Sequence, residues 1–345
     1  MTSYALLILP SANRVYAEAA TALSQSELHV FNQSVLEGRL SEVSATAIGG
    51  VPYVTFTADG ELGARDVALL ANLSSIYALF QIEGGLLRPV GLHRLDRFDD
   101  DLITIPKYQG KTNEQFTKLL LNVTLLASAF AGDFLDRKFA VIDPLCGRGT
   151  TLSQALMYGF DAAGVDLDQK DFEAYSAFIQ TWLKRKRIKH HAEQGPVRRD
   201  RQVVGRRLQI SLAAAKDDYK AGLTQRLDVL NGDTTRALEF FRPGTFDLVV
   251  ADAPYGVQHG SRTAAKGLAR SPLDLLAGAA PVWVGLLRSG GACGIAWNTL
   301  VARREAAAAI LAGAGLDVID SPGYLAFRHR VDQAILRDIL VARKP

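Results

Sequence analysis

Cysteine is almost missing from this chain of 345 residues: Cys146 and Cys293 are the whole supply. They stand far apart with no His or Cys at ligand spacing, which argues against a disulfide framework and a zinc site and for a reducing compartment. Runs long enough to cross a bilayer are also lacking. The apolar start at residues 4–9 has no basic stretch before it, so it reads as a first strand and not a signal, and a cytoplasmic protein is expected. Internal repeats and low-complexity tracts are absent.

What is there is the composition of a globular chain, 48% hydrophobic and 22% charged, with length for two compact domains. The net charge of +3 hides a local excess. Residues 184–207 hold ten Lys/Arg and two acids, a balance of +8, which leaves −5 for the remainder. A basic arm of this kind suits a phosphate backbone; the plainer alternative is a solvated helix end and loop. His190 and His191 belong to that surface.

Hydrophobic periodicity divides the chain near residue 95. The first part reads as strand 4–9, helix 13–24, strands 28–32 and 52–57, a long helix 61–80 and strand 86–92, the β-α-β-β-α-β order of a ferredoxin-like α+β domain over residues 1–95. Residues 96–110 read as a linker. From 111 to 345 helices and strands alternate: strands at 140–143, 162–166, 226–230, 246–251, 291–297 and 316–319, and helices between them. Two strands, 325–328 and 334–342, close the chain. This is α/β: a parallel sheet covered on both faces, with an antiparallel member at the edge and the basic insertion 184–207 between the second and third strands. Ligands on such sheets bind beyond the carboxyl ends of the strands.

The chemistry-bearing residues cluster at those ends. Asp252-Ala253-Pro254-Tyr255-Gly256 follows the apolar run 246–251. Alone it is ordinary turn composition. Beside a cofactor it offers a carboxylate and a backbone carbonyl to accept two N–H groups of an amine-bearing ring, and an aromatic face to stack on it. Asp143-Pro144-Leu145-Cys146-Gly147-Arg148-Gly149-Thr150 sits where the first central strand meets a helix. Its glycines permit close backbone approach, and Asp143 can receive an ammonium group; with no Gly-Lys-Ser/Thr ending it is not a phosphate loop. At the second strand end Asp166 suits ribose hydroxyls, with Asp168 as second choice or helix cap. Asp233, after the third strand, either accepts from an adenine amine or caps the next helix.

In this order these motifs resemble a class I S-adenosylmethionine-dependent methyltransferase with a Rossmann-like seven-stranded sheet, over roughly residues 107–345. Asp252-Ala253-Pro254-Tyr255 is similar to the Asp/Asn-Pro-Pro-Tyr tetrad of the amino-methylating branch. Gly110-Lys111-Thr112-Asn113 resembles the segment that leans on the methionine end of the cofactor in that branch. The combination looks most like the THUMP-associated tRNA guanine-N2 methyltransferases. The resemblance implies S-adenosylmethionine as cofactor and RNA, tRNA above all, as partner. It implies catalytic roles for Asp252, Ala253, Pro254 and Tyr255, and cofactor contacts from Lys111, Thr112, Asp143, Pro144, Cys146, Gly147, Gly149, Thr150, Asp166, Asp168 and Asp233.

Two departures stand out. Ala253 replaces the first proline of the tetrad and so loses its fixed φ. The first hundred residues suffice for a ferredoxin-like module but leave little for a THUMP domain, so RNA contact passes to the basic arm, with Lys184, Arg185, Lys186, Arg187, Arg198, Arg199 and Arg201, helped by Arg262 in the Gly-rich loop after the tetrad. Rival readings are an N6-adenine or N4-cytosine DNA methyltransferase, a ribosomal RNA guanine-N2 methyltransferase, and a non-catalytic RNA-binding module.

Overall fold

The computed structural model describes residues 1–11, 14–108, 110–199, 201–253 and 271–345. The amino-terminal part runs β1 (Thr2–Ile8), α1 (Arg14–Ser34), β2 (Leu40–Ile48), β3 (Val51–Ala58), α2 (Ala64–Leu70), β4 (Ile76–Glu83) and β5 (Leu86–Val90). Its antiparallel sheet has the order β2-β3-β1-β4-β5, the interleaved ferredoxin-like order with one further edge strand.

Two local expectations in this part are overturned. Residues 28–32 are not a strand but the last turns of α1. There Tyr16, Ala20, Leu23, Glu27, Leu28 and Phe31 are buried at helical spacing, which overrides the β-like composition of Val30 and Phe31. The long helix expected at 61–80 stops at Leu70. Asn72, Ser74 and Ser75 break it, and β4 follows with its burial alternating along the strand.

After α3 (Asp101–Thr104) comes α4 (Glu114–Ala127), capped by Asn113, whose side chain accepts from the Phe116 amide at 3.1 Å. The second sheet then builds up through β6 (Ala140–Asp143), α5 (Thr150–Met157), β7 (Asp161–Asp166), α6 (Gln169–Arg185), β8 (Lys189–Arg199), β9 (Gln202–Ala213), α7 (Lys216–Lys220), β10 (Gln225–Asn231) and β11 (Phe246–Asp252). It finishes with α8 (Pro272–Leu286), β12 (Leu287–Asn298), α9 (Arg304–Gly313), β13 (Asp317–Val318), β14 (His329–Arg330) and β15 (Leu336–Arg343). The strand expected at 325–328 is absent: a 3-10 turn covers Pro322–Leu325, and pairing begins only at His329.

The order β13-β15-β12-β11-β6-β7-β10-β9-β8 places five parallel strands, β10, β7, β6, β11 and β12, at the centre, with β15 antiparallel beside β12. Alternate residues of the central strands feed two cores. Val141, Leu248 and Val250 face one with Phe116 and Phe172; Ile142, Val249 and Ala251 face the other with Trp283 and Leu311. The first core is continuous with that of the amino-terminal sheet, since Leu6, Phe31 and Phe56 belong to it. Residues 96–108 are bound into this body: the Arg97 amide donates to the Met157 carbonyl at 2.7 Å, Trp182 Nε1 to Asp101 at 2.9 Å, and Leu102 is buried. Among the described residues no helix is long and apolar enough to cross a membrane.

The basic insertion is neither arm nor loop but a hairpin, β8–β9, that extends the sheet beyond β10. Leu208, Ile210 and Leu212 alternate inward and fix its register.

Candidate active site

Parallel pairing brings the ends of β6, β7, β10 and β11 to one rim, and each ends near an acid. Asp143 closes β6 and is 3% exposed. Its carboxylate accepts the Leu145 amide at 3.0 Å, and burial, reinforced by the charges of Asp252 and Asp166, pushes its pKa up to about 7. Asp166 closes β7 and accepts the Gly147 amide at 2.7 Å and the Asp168 amide at 2.8 Å; burial raises its pKa too. The rim thus holds two carboxylates in need of a cationic or hydroxyl-bearing partner.

The loop between β6 and α5 turns on two glycines with positive φ, Gly147 at 48° and Gly149 at 74°. A Cβ on Gly149 would strike the Tyr175 ring, whereas one on Gly147 would meet open space. Pro144 and Cys146 are buried behind this loop. The Cys146 amide joins the Val165 carbonyl at 3.0 Å, and burial holds its thiol well above the ordinary range, so the residue packs and does not react. Thr150 meets the Tyr108 hydroxyl at 3.0 Å, and the Arg148 guanidinium lies 4.8 Å from the centre of the same ring.

Several acids do the local work that capping demands. Asp168 caps α6 through the Lys170 amide at 2.7 Å, and Asp233 caps the 3-10 turn Thr234–Glu239 through the Thr235 amide at 2.9 Å. Lys111 spends its ammonium on the Ile103 carbonyl, 2.6 Å away, and on Glu114. Thr112 turns its hydroxyl toward Asp252 and donates to its carboxylate. Asp252 ends β11, and Arg337 from β15 approaches the same carboxylate at 4.0 Å.

Ala253 continues the sheet by one bond: its amide donates to the Ala296 carbonyl at 2.9 Å, a bond that proline in its place would forfeit. Pro254, Tyr255 and Arg262 lie outside the described residues. Sequence reasoning missed Arg337 of β15, which approaches Asp252, and Phe116 of α4 with His329 of β14, whose rings pack against each other beneath the Arg337 guanidinium. The signal was present as Arg337-Asp338 inside an apolar strand, since a buried charge requires a partner.

The hairpin divides the basic run into two poles. β8 spans eleven residues, so at about 3.3 Å each its ends lie ~35 Å apart. Lys184, Arg185, Lys186 and Arg187 sit at the end of α6, on the amino-end rim of the sheet. Arg198, Arg199 and Arg201 form the tip. Because Asn231, the last residue of β10, pairs with Arg206, the tip overhangs the carboxyl-end rim where the acids are. Arg199 is tied to Glu239, Lys186 to Asp99 and Asp101, Arg206 to Glu173 and Arg207 to Asp228. Arg198 and Arg201 are exposed and make no ion pair among the described residues.

Residues 133–280 match the family described as RMKL-like, methyltransferase domain. The ribosomal RNA large subunit methyltransferase K/L of Photobacterium profundum is 31% identical over 128 residues, which is 35% of this chain and 18% of the relative. The chain therefore spans less than a fifth of that relative's length. Among solved structures, TrmN from Thermus thermophilus is 12% identical with a TM-score of 0.45, each chain covered completely. The 1,6-didemethyltoxoflavin-N1-methyltransferase of Burkholderia thailandensis is 15% identical with a TM-score of 0.37, over 69% of this chain and 93% of that one. Strands β10-β7-β6-β11-β12-β15-β13 stand in the seven-stranded order, and over residues 133–280, which include the glycine loop between β6 and α5, the chain is similar to an RMKL-like methyltransferase domain.

Proposed function

We propose that the chain transfers a methyl group to an exocyclic amine of a base in RNA, with guanine N2 in tRNA as the favoured target. The observation that carries this reading is the pair of strand-end carboxylates, Asp143 on β6 and Asp252 on the adjacent β11, with Asp252 already held by Thr112. The residues fit S-adenosylmethionine in charge. Asp143 would hold its amino group and Asp166 its ribose hydroxyls, Gly147 leaves the backbone open to its approach, and Asp233 and Asp168 would face the adenine side. When bound, the cofactor supplies a methyl on a sulfonium centre.

The rest falls to the chain. An exocyclic amine is a poor nucleophile because its lone pair is delocalised into the ring. Asp252 and the carbonyl of Ala253 accept its two N–H groups and favour a localised lone pair aimed at the cofactor pocket. An ordinary carboxylate is too weak a base to deprotonate the neutral amine, so positioning leads and the proton leaves afterwards. Tyr255 is assigned the stacking face from its place in the tetrad. The exposed tip of β8–β9, overhanging the same rim, supplies cations for phosphates near the target.

The name of the K/L relative favours a second reading, ribosomal RNA as substrate. Both are tested by offering the full chain labelled S-adenosylmethionine with tRNA, ribosomal RNA or duplex DNA, each unmodified, followed by nucleoside mass spectrometry. Label in N2-methylguanosine from tRNA is the expected result. Label from ribosomal RNA alone selects the second reading, and label from DNA alone overturns both.

A further inference from the structure

We propose that Arg337 is a positioning residue for Asp252, acting through that carboxylate and not on the substrate. It rests on the amine-methylation reading above. Arg337 is 5% exposed on β15, with Asn298 of β12 and His329 of β14 as its register partners. Its guanidinium lies over the Phe116 ring of α4, 4.3 Å from the centroid, and Nη2 reaches to 4.0 Å from Asp252.

Opposite it, from the segment before α4, Thr112 donates to the same carboxylate. His329 adds no competing charge: burial, aided by Arg337, pushes its pKa down to about 4, and Nδ1 lies 2.8 Å from the Phe327 carbonyl. Strand pairing does not call for an arginine here, and an apolar side chain would fill the place at lower desolvation cost. What arginine adds is a second, charged contact on Asp252. With Thr112 donating to it on one side and the Arg337 charge standing beside it on the other, the carboxylate is oriented before an amine arrives, and little reorganisation is needed during transfer.

The test uses the full chain, with Arg337→Met, Arg337→Lys and, as a control, Arg304→Met on α9, which breaks the pair with Asp338 of β15. Arg337→Met is expected to lower kcat at least tenfold, with the Kd for S-adenosylmethionine and the KM for RNA within twofold of wild type. Arg337→Lys, which keeps charge but not the fork, should recover at least threefold of that loss. Arg304→Met should lower Tm and leave kcat at 25 °C unchanged. The proposal is overturned if folded Arg337→Met keeps wild-type kcat, if cofactor affinity falls in step with kcat, or if Arg304→Met loses kcat equally. Should Arg337→Met not fold, Arg337→Gln takes its place: a folded Arg337→Gln with unchanged kcat overturns the proposal. Wild type that labels no base amine removes the underlying reading, and this one with it.

Discussion

Asp143 is a carboxylate whose burial works against its own charge. With its pKa near 7, it is half protonated at neutral pH until a cation arrives, so binding an ammonium group should release a proton. Affinity for S-adenosylmethionine is therefore expected to fall about tenfold per unit below pH 7 and to level off above it. Calorimetry between pH 5.5 and 8.5 reads this directly; a flat profile would mean that another group receives the amine. Asp252→Ala should reduce methyl transfer by roughly a thousandfold while cofactor affinity stays near wild type. Equal loss of both would make Asp252 a structural residue. The acids and glycines of the rim were legible because each stands at a strand end within one short motif. Arg337 was not, because it reaches Asp252 from a strand at the far end of the chain, and no local spacing encodes that meeting.

The hairpin β8–β9 shows where element-level reading stops short. Ten basic residues masked an alternation that Leu208, Ile210 and Leu212 plainly carry, and a linear count of charge merged two poles that the strands hold apart. Strand 28–32 failed for the opposite reason: its residue types favour extension, yet tertiary burial at helical spacing decides. The parallel strands were legible because they are short apolar runs between turn signals. Sorting the charges by pole gives an expectation. Arg198→Gln with Arg201→Gln should weaken RNA binding and reduce the salt slope by about 1.8, the share of two phosphates at roughly 0.9 each. Lys184→Gln with Arg185→Gln, on the opposite rim, should change the slope far less. Identical slopes for the two double variants would remove the tip from the RNA interface.

At the scale of the whole molecule, the two sheets share a core and a buried polar junction. Asn122 of α4 donates to Glu27 of α1 at 2.7 Å and to the Asn72 carbonyl at 2.9 Å, and accepts from Tyr158 at 2.8 Å. Glu27 also accepts the Ser74 hydroxyl at 2.6 Å, and burial raises its pKa. Asn122→Ala would leave that carboxyl short of a donor and should cost about 2–4 kcal/mol. Denaturation followed by far-UV circular dichroism and by tryptophan fluorescence should give one coincident transition, because the three tryptophans, on α6, α8 and β12, report from the second sheet and its covering helices while both sheets share the core. Two separated transitions would show that the amino-terminal sheet folds alone. α4 carries this junction in its middle, and just before its first turn stands the Thr112 that grips Asp252. A module joined through that helix cannot swing to follow a substrate. On the proposed function, any RNA feature it touches would lie at one fixed distance from the reacting amine, and the nucleotide modified would be chosen with a ruler, by its spacing from that feature and not only by the identity of its base.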